Sequence, residues 1–231
     1  MTLAMCMGTG PALAVAPVPP VLPLIPDKAA TVDGFVPAGW VIEQRLLADL
    51  NRDGRRDAVL LLRTAPPAAA ASAPVPASTH SPERVLMVLL QQRSGWALAG
   101  ANARLVPQLD LATQEDPLDN GELVAARGGF SLSLGLTSSA GSYLSAVLRW
   151  RFRVEPGCVR LIGYDRLQTH RATLDTQDLS INFLTAAVLH SSGNAQTDTS
   201  TRRRERLASN PRRCLPDLDD ALSFQPLAPP R

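Results

Sequence analysis

The stretch Asp49-Leu50-Asn51-Arg52-Asp53-Gly54-Arg55-Arg56-Asp57 carries oxygen-bearing side chains at its first, third, fifth and ninth positions. That spacing suits a hard divalent cation, which takes several oxygen ligands at about 2.3–2.6 Å from a flexible loop. Asp49, Asn51, Asp53 and Asp57 are the side chains this spacing offers, with the Arg55 carbonyl as a backbone ligand. Gly54 permits the sharp bend before that carbonyl, and Asn51 supplies a neutral oxygen that limits repulsion among the carboxylates. The twelfth position is Leu60, not the bidentate glutamate of an EF-hand, and an apolar run follows, so the loop is expected to feed a β-strand. The expected cofactor is a structural calcium ion, bound with the weak affinity of an extracellular module, on the order of 10⁻⁴–10⁻³ M. Against this stands a plain solvated turn. Asp, Asn and Gly are ordinary turn formers, and Arg52, Arg55 and Arg56 compete for the carboxylates.

Nucleophilic chemistry is less well supplied. The histidines are His80, His170 and His190. His80 sits in an Ala/Pro-rich stretch and His190 near a polar tail, which leaves His170, with Asp165 and Asp175 close in sequence and the hydroxyls of residues 137–142 as partners. A Ser–His–Asp hydrolase set can be drawn from these, but the serine stretch lacks the G-x-S-x-G elbow. No Cys/His spacing suggests zinc and no glycine-rich loop ending in Lys suggests a nucleotide. A non-enzymatic role is the leading expectation, with a secreted hydrolase using His170 and a serine of 137–142 as the alternative.

The elements that must position these residues are strands. In the segment 148–154, Leu148, Trp150, Phe152 and Val154 alternate with Arg149, Arg151 and Arg153. The same period of two runs through 130–136 and 179–183, the signature of strands apolar on one face and wet on the other. Residues 58–63 and 84–91 are continuously apolar and fit strands covered on both faces. Turn residues fall between these runs at 93–96, 126–130 and 155–158. The fold expected is all-β, a mainly antiparallel sandwich or open barrel in one domain over 36–190, with disordered termini. Residues 65–82, rich in Ala, Pro and Ser, are expected to be a disordered insertion between neighbouring strands. Tyr164 at a strand end is expected to lay its ring on the core with its hydroxyl in water, and Asp165 is either part of that strand end or a remote ligand of the ion.

The 23 basic residues include a single lysine, Lys28, and the net charge of +2 is uneven. Residues 202–213 hold six arginines and one glutamate, so the remaining chain is mildly acidic. A basic tail on an acidic body is unlike a nucleic-acid-binding domain with a basic face built into its fold. The tail expected over 191–231 is solvated, with Arg202, Arg203, Arg204 and Arg206 available to a polyanion or an envelope surface. At the other end, residues 1–16 read as a secretory signal, with small residues at 12–16 before Pro17, followed by a Pro-rich leader over 17–35. No Lys or Arg precedes Lys28, so the charged start of such a signal is missing. A lipoprotein cleaved before Cys6 is a poorer fit because Met5 is bulky. No later run is long enough to span a bilayer as a helix. Export to the periplasm or beyond would leave Cys158 and Cys214 as an even pair in an oxidising compartment, either bridged or as two unrelated thiols.

Taken in order, VPAGW (36–40), the loop DLNRDGRRD (49–57), the Ser/Gly-rich stretch 138–142, the arginine strand, LIGYD (161–165) and NFLT (182–185) resemble a family of uncharacterised bacterial exported proteins and lipoproteins. The loop itself is similar to the calcium loops of FG-GAP and VCBS-type secreted proteins, present here in one copy. The resemblance covers most of 36–187 and implies one β-rich exported domain, an ion site at Asp49, Asn51, Asp53, Gly54 and Asp57, and no catalytic residue. Two positions depart from the family pattern: Ala186 stands where a glycine is usual after NFLT, and Cys158 where a polar residue is usual. The second departure favours the Cys158–Cys214 bridge.

Overall fold

The computed structural model describes residues 22–66, 79–126, 128–197 and 199–227. The expected signal at 1–16, Cys6 and most of the 65–82 insertion lie outside the described residues.

Among the described residues twelve strands follow one another almost without helix: β1 (Lys28–Ala29), β2 (Trp40–Ala48), β3 (Asp57–Thr64), β4 (Arg84–Gln92), β5 (Gly95–Asn102), β6 (Glu122–Ala126), β7 (Gly129–Thr137), β8 (Leu144–Glu155), β9 (Cys158–His170), β10 (Asp175–Asn182), β11 (Ala187–Asn194) and β12 (Thr199–Arg206). They form two sheets. One has five strands in the order β1-β5-β4-β3-β2, and the other is an uninterrupted meander from β12 to β6. Every strand pair is antiparallel, as the turn-punctuated alternation predicts.

The two sheets share one core. Val59, Leu61, Leu86 and Val88 from the first sheet meet Phe130, Leu132, Leu134, Leu148, Trp150, Phe152, Tyr164, Leu179 and Ile181 from the second. This is the alternation of 130–136, 148–154 and 179–183 put to use: each apolar set faces inward and each Ser/Arg set faces out. Phe130 stacks on Phe152 with ring centroids 5.0 Å apart, across the β7–β8 register that pairs them. The continuously apolar β3 and β4 have a second core on their other face, where Ala58, Leu60, Leu62, Val85, Met87 and Leu89 pack on Val32 and Phe35. A one-turn 3-10 helix, Val32–Phe35, places those two residues three apart on one side.

The ends of the domain therefore differ from the sequence expectation. Part of the leader expected over 17–35 belongs to the fold, since Phe35 is fully buried and β1 pairs with β5. The stretch 191–231, expected as a solvated tail, supplies the end of β11, all of β12 and a strap that runs back over the core. β12 is polar on both faces, so it has no apolar period to read; it is an edge strand held by backbone pairing to β11. The strap buries Leu215, Leu218 and Ala221. Phe224 lies 5.1 Å from the Tyr164 ring and 6.3 Å from Trp150, centroid to centroid. Asn102, itself buried, ties the strap to β5: its amide donates to the carbonyls of Leu215 and Leu218 at 2.7 and 2.9 Å, and its Oδ1 accepts from the Arg104 and Leu105 amides.

Cys158 and Cys214 form a disulfide with a Cα–Cα distance of 5.4 Å. It joins the start of β9 to the strap beside the backbone bridge of Arg160 to Cys214. Closing a loop with a sequence separation of 56 contributes roughly 4 kcal/mol in the chain-entropy picture.

Candidate functional site

The acidic loop is the connection of the β2–β3 hairpin, and Ala48 pairs with Asp57 at its base. Arg52 and Gly54 both take left-handed backbone conformations, with φ of 65° and 83°, which fold the chain back on itself. In that bend the side-chain oxygens turn onto the loop's own amides. The Asp53 N–H donates to Asp49 Oδ1 at 3.1 Å and to Asn51 Oδ1 at 3.0 Å, and the Gly54 N–H donates to Asp49 Oδ2 at 3.0 Å. Asp53 Oδ1 accepts from the Arg55 N–H at 2.9 Å, while its Oδ2 accepts from the Asn51 side-chain amide and the Arg55 guanidinium. The Arg55 backbone amide, chief among these donors, lowers the Asp53 carboxyl below its ordinary value.

Because one amide reaches oxygens of both Asp49 and Asn51, those two side chains lie on the same side of the loop, and Asp53 touches Asn51. A carboxylate oxygen that accepts one N–H keeps acceptor capacity for a cation. Asp57 is placed differently. It is fully buried, its Oδ2 accepts from the Leu50 and Asn51 amides, and its Oδ1 accepts from the Gln91 amide of β4. It clamps the base of the loop to two strands, and burial pushes its pKa up against the pull of those three amides. Among the described residues no three Asp, Glu, His or Cys side chains gather as a ligand set. Of the interleaved arginines, Arg55 pairs with Asp53, and Arg52 lies against Gly128 in the β6–β7 turn. A Cβ at Gly128 would collide with the Arg52 guanidinium, and Gly128 has a φ of 74°.

The residues of the hydrolase alternative are not brought into a relay. His170 Nδ1 is engaged by the Thr173 amide at 3.2 Å and the Thr173 hydroxyl at 3.0 Å, and that hydroxyl donates to Asp175. Ser138 donates to the carbonyls of Thr113 and Ala140, and Ser142 Oγ accepts from the Leu144 amide. The ring next to His170 is Tyr143. The His80 backbone forms an isolated antiparallel β-bridge with that of Asp110, and His190 Nε2 lies 2.8 Å from Glu205.

Tyr164 lays its ring on the core, but in the middle of β9 and with its hydroxyl buried as well: the residue is 2 % exposed, and burial raises the hydroxyl pKa to about 12. Asp165 is on the outer face of the second sheet, bonded to Arg151 at 3.2 Å and to the Ser180 hydroxyl. That contact accounts for one rung of the arginine ladder as a cross-strand ion pair. The hydrogen-bond partners of Asp165 are thus on β8 and β10 and not in the acidic loop.

Two features escaped the sequence. Arg84, 3 % exposed, donates to both oxygens of Glu43 and to Asp116, at 2.7–2.9 Å. This pins the β-bulge of β2 to β4 and to the loop before β6. Partners 41 and 32 residues away leave no local pattern. The other is a polar groove of about 370 Å³ on β9–β12. Its residues look like unrelated strand positions until the register aligns them. No helix among the described residues is long and apolar enough to cross a membrane. No family model, no curated protein and no solved structure matches this chain.

Proposed function

We propose that this chain is an exported, non-enzymatic β domain with a binding or envelope-associated accessory role, whose β2–β3 hairpin is braced by one calcium ion. The observation that carries the reading is the bend of residues 49–55, which puts Asp49, Asn51 and Asp53 oxygens side by side between two paired strands. These three side chains, with the Arg55 carbonyl, would hold the ion, and water would complete the oxygen shell that calcium requires. Asp57 acts beneath them by fixing the loop backbone. The ion would supply charge neutralisation and no chemistry. Export is supported by the Cys158–Cys214 bridge, a bond that persists in oxidising compartments and is rare in reducing ones.

The test is thermal unfolding with calcium and with chelator, on the native sequence and on Asp53→Ala. At calcium about tenfold above Kd, stabilisation of about 1.4 kcal/mol raises Tm by about 3–5 °C. Asp53→Ala abolishes that rise. Superimposable melting curves with calcium and chelator would overturn the ion.

A further inference from the structure

Strand register shows where the core-facing side of the seven-stranded sheet stops being apolar. One cross-strand row runs Leu148, Arg166, Leu179, His190, Arg203, and its neighbour runs Ala146, Gln168, Gln177, Ser192, Thr201. Leu148 and Leu179 are buried in the inter-sheet core, so both rows lie on the core side of the sheet. In these two rows the apolar residues end at Leu179, and beyond it they carry imidazole, guanidinium and hydroxyl groups. The groove of about 370 Å³ lies here, with Leu179 in its lining. Asp178 and Arg202 border it from strand positions whose side chains the register assigns to the opposite face.

Charge within the groove is not balanced. Two carboxylates of this face are already occupied: Glu205 by His190 at 2.8 Å and Arg203 at 2.9 Å, with its pKa lowered first by the His190 hydrogen bond, and Asp175 by the Thr173 hydroxyl and the Asn194 amide. No carboxylate lies within ion-pairing distance of Arg166 among the described residues. The Ser192 and Thr201 hydroxyls, 2.8 Å apart, and the Gln177 amide stand beside it. An exposed guanidinium offers a planar fork of donors suited to an oxyanion, and the neutral groups can donate to and accept from hydroxyls. A volume of this size is at the small end of ligand sites.

We propose that this groove binds a phosphate group carried on a small hydroxylated body, with Arg166 as the main contact to the phosphate, Arg203 reinforcing it, and Gln177, Ser192 and Thr201 bonding the hydroxyls. Both a soluble phosphate ester and a phosphoglycerol lipid headgroup have this chemistry. The site gives the binding role proposed above a location, and it does not depend on the ion at residues 49–57.

The experiment titrates the full chain with inorganic phosphate, with glycerol 3-phosphate, and with vesicles of phosphatidylglycerol or phosphatidylcholine. The proteins compared are the native sequence, Arg166→Ala, Arg204→Ala and Asp53→Ala. Arg166 is exposed, so its replacement leaves the fold in place, and melting curves confirm this. Arg204 lies on the opposite face of β12 and reports general attraction to anions. Glycerol 3-phosphate should bind at millimolar concentration or tighter, more tightly than inorganic phosphate, and Arg166→Ala should weaken it by about tenfold. Arg204→Ala and Asp53→Ala should leave it unchanged. Vesicle binding lost in Arg166→Ala assigns a lipid headgroup; ester binding without vesicle binding assigns a soluble ligand. Absence of millimolar binding, or equal losses in Arg166→Ala and Arg204→Ala, overturns the groove and leaves the calcium measurement standing on its own.

Discussion

The two sheets meet in one core yet treat their outer faces in opposite ways. β3 and β4 of the five-stranded sheet are buried on both sides, by the second sheet on one and by the segment around Val32 and Phe35 on the other. The seven-stranded sheet is covered on one face only, and β12 at its end is polar on both. A strand sealed on two sides has no position free for a charge without a partner, which is why the buried Arg84 there is held by two carboxylates. A strand with a wet face can carry arginines, hydroxyls and a groove at little cost. The central strands of the first sheet therefore have no wet face, while the second sheet keeps a whole face for charged and polar side chains.

The sharpest way to break that comparison is to release the strap that closes the second sheet. Replacing both Cys158 and Cys214 by serine should lower unfolding stability by roughly 4 kcal/mol, read from denaturant titrations. An unchanged midpoint would mean that Asn102 and Phe224 hold the strap without help. Next in size is Leu60→Ala in β3, fully buried, expected to cost about 3 kcal/mol. Its counterpart, Leu167→Ala on the outer face of β9, removes a side chain 46 % exposed and should cost less than about 0.5 kcal/mol. Comparable losses at the two sites would erase the distinction between the sheets. The smallest effect is a gain. Ala186, in the β10–β11 turn, has a φ of 57°, a left-handed conformation that disfavours a Cβ. Ala186→Gly should stabilise the turn by about 1 kcal/mol, measurable as a Tm rise of about 2–4 °C.

That position also shows how sequence and structure inform each other. The sequence marks Ala186 only as a departure from a family pattern, and the backbone supplies the reason a glycine would suit it. In the same way, Leu148-Trp150-Phe152-Val154 declares which side of β8 is buried, because a period of two has one interpretation in a sheet. The DxNxDG spacing declares a bend between strands, and residues 49–56 form one. What it leaves open is the division of labour within the motif. Asp49, Asn51 and Asp53 face the bend, while Asp57 is turned to the amides of Leu50, Asn51 and Gln91. Gln91 lies 34 residues away, so no local spacing announces that bond.

By itself, then, the sequence determined the strands around 58–63, 84–91, 130–136, 148–154 and 179–183, the inward faces of the last three and the turns between runs. Those follow from periodicity and turn chemistry, which act over a few residues. Tertiary structure alone decided that β12 and the strap belong to the domain, that Arg84 is buried, and that Arg166, His190 and Arg203 share one row. Each of these depends on backbone pairing or burial between residues far apart in the chain, and those contacts leave no mark on local residue order.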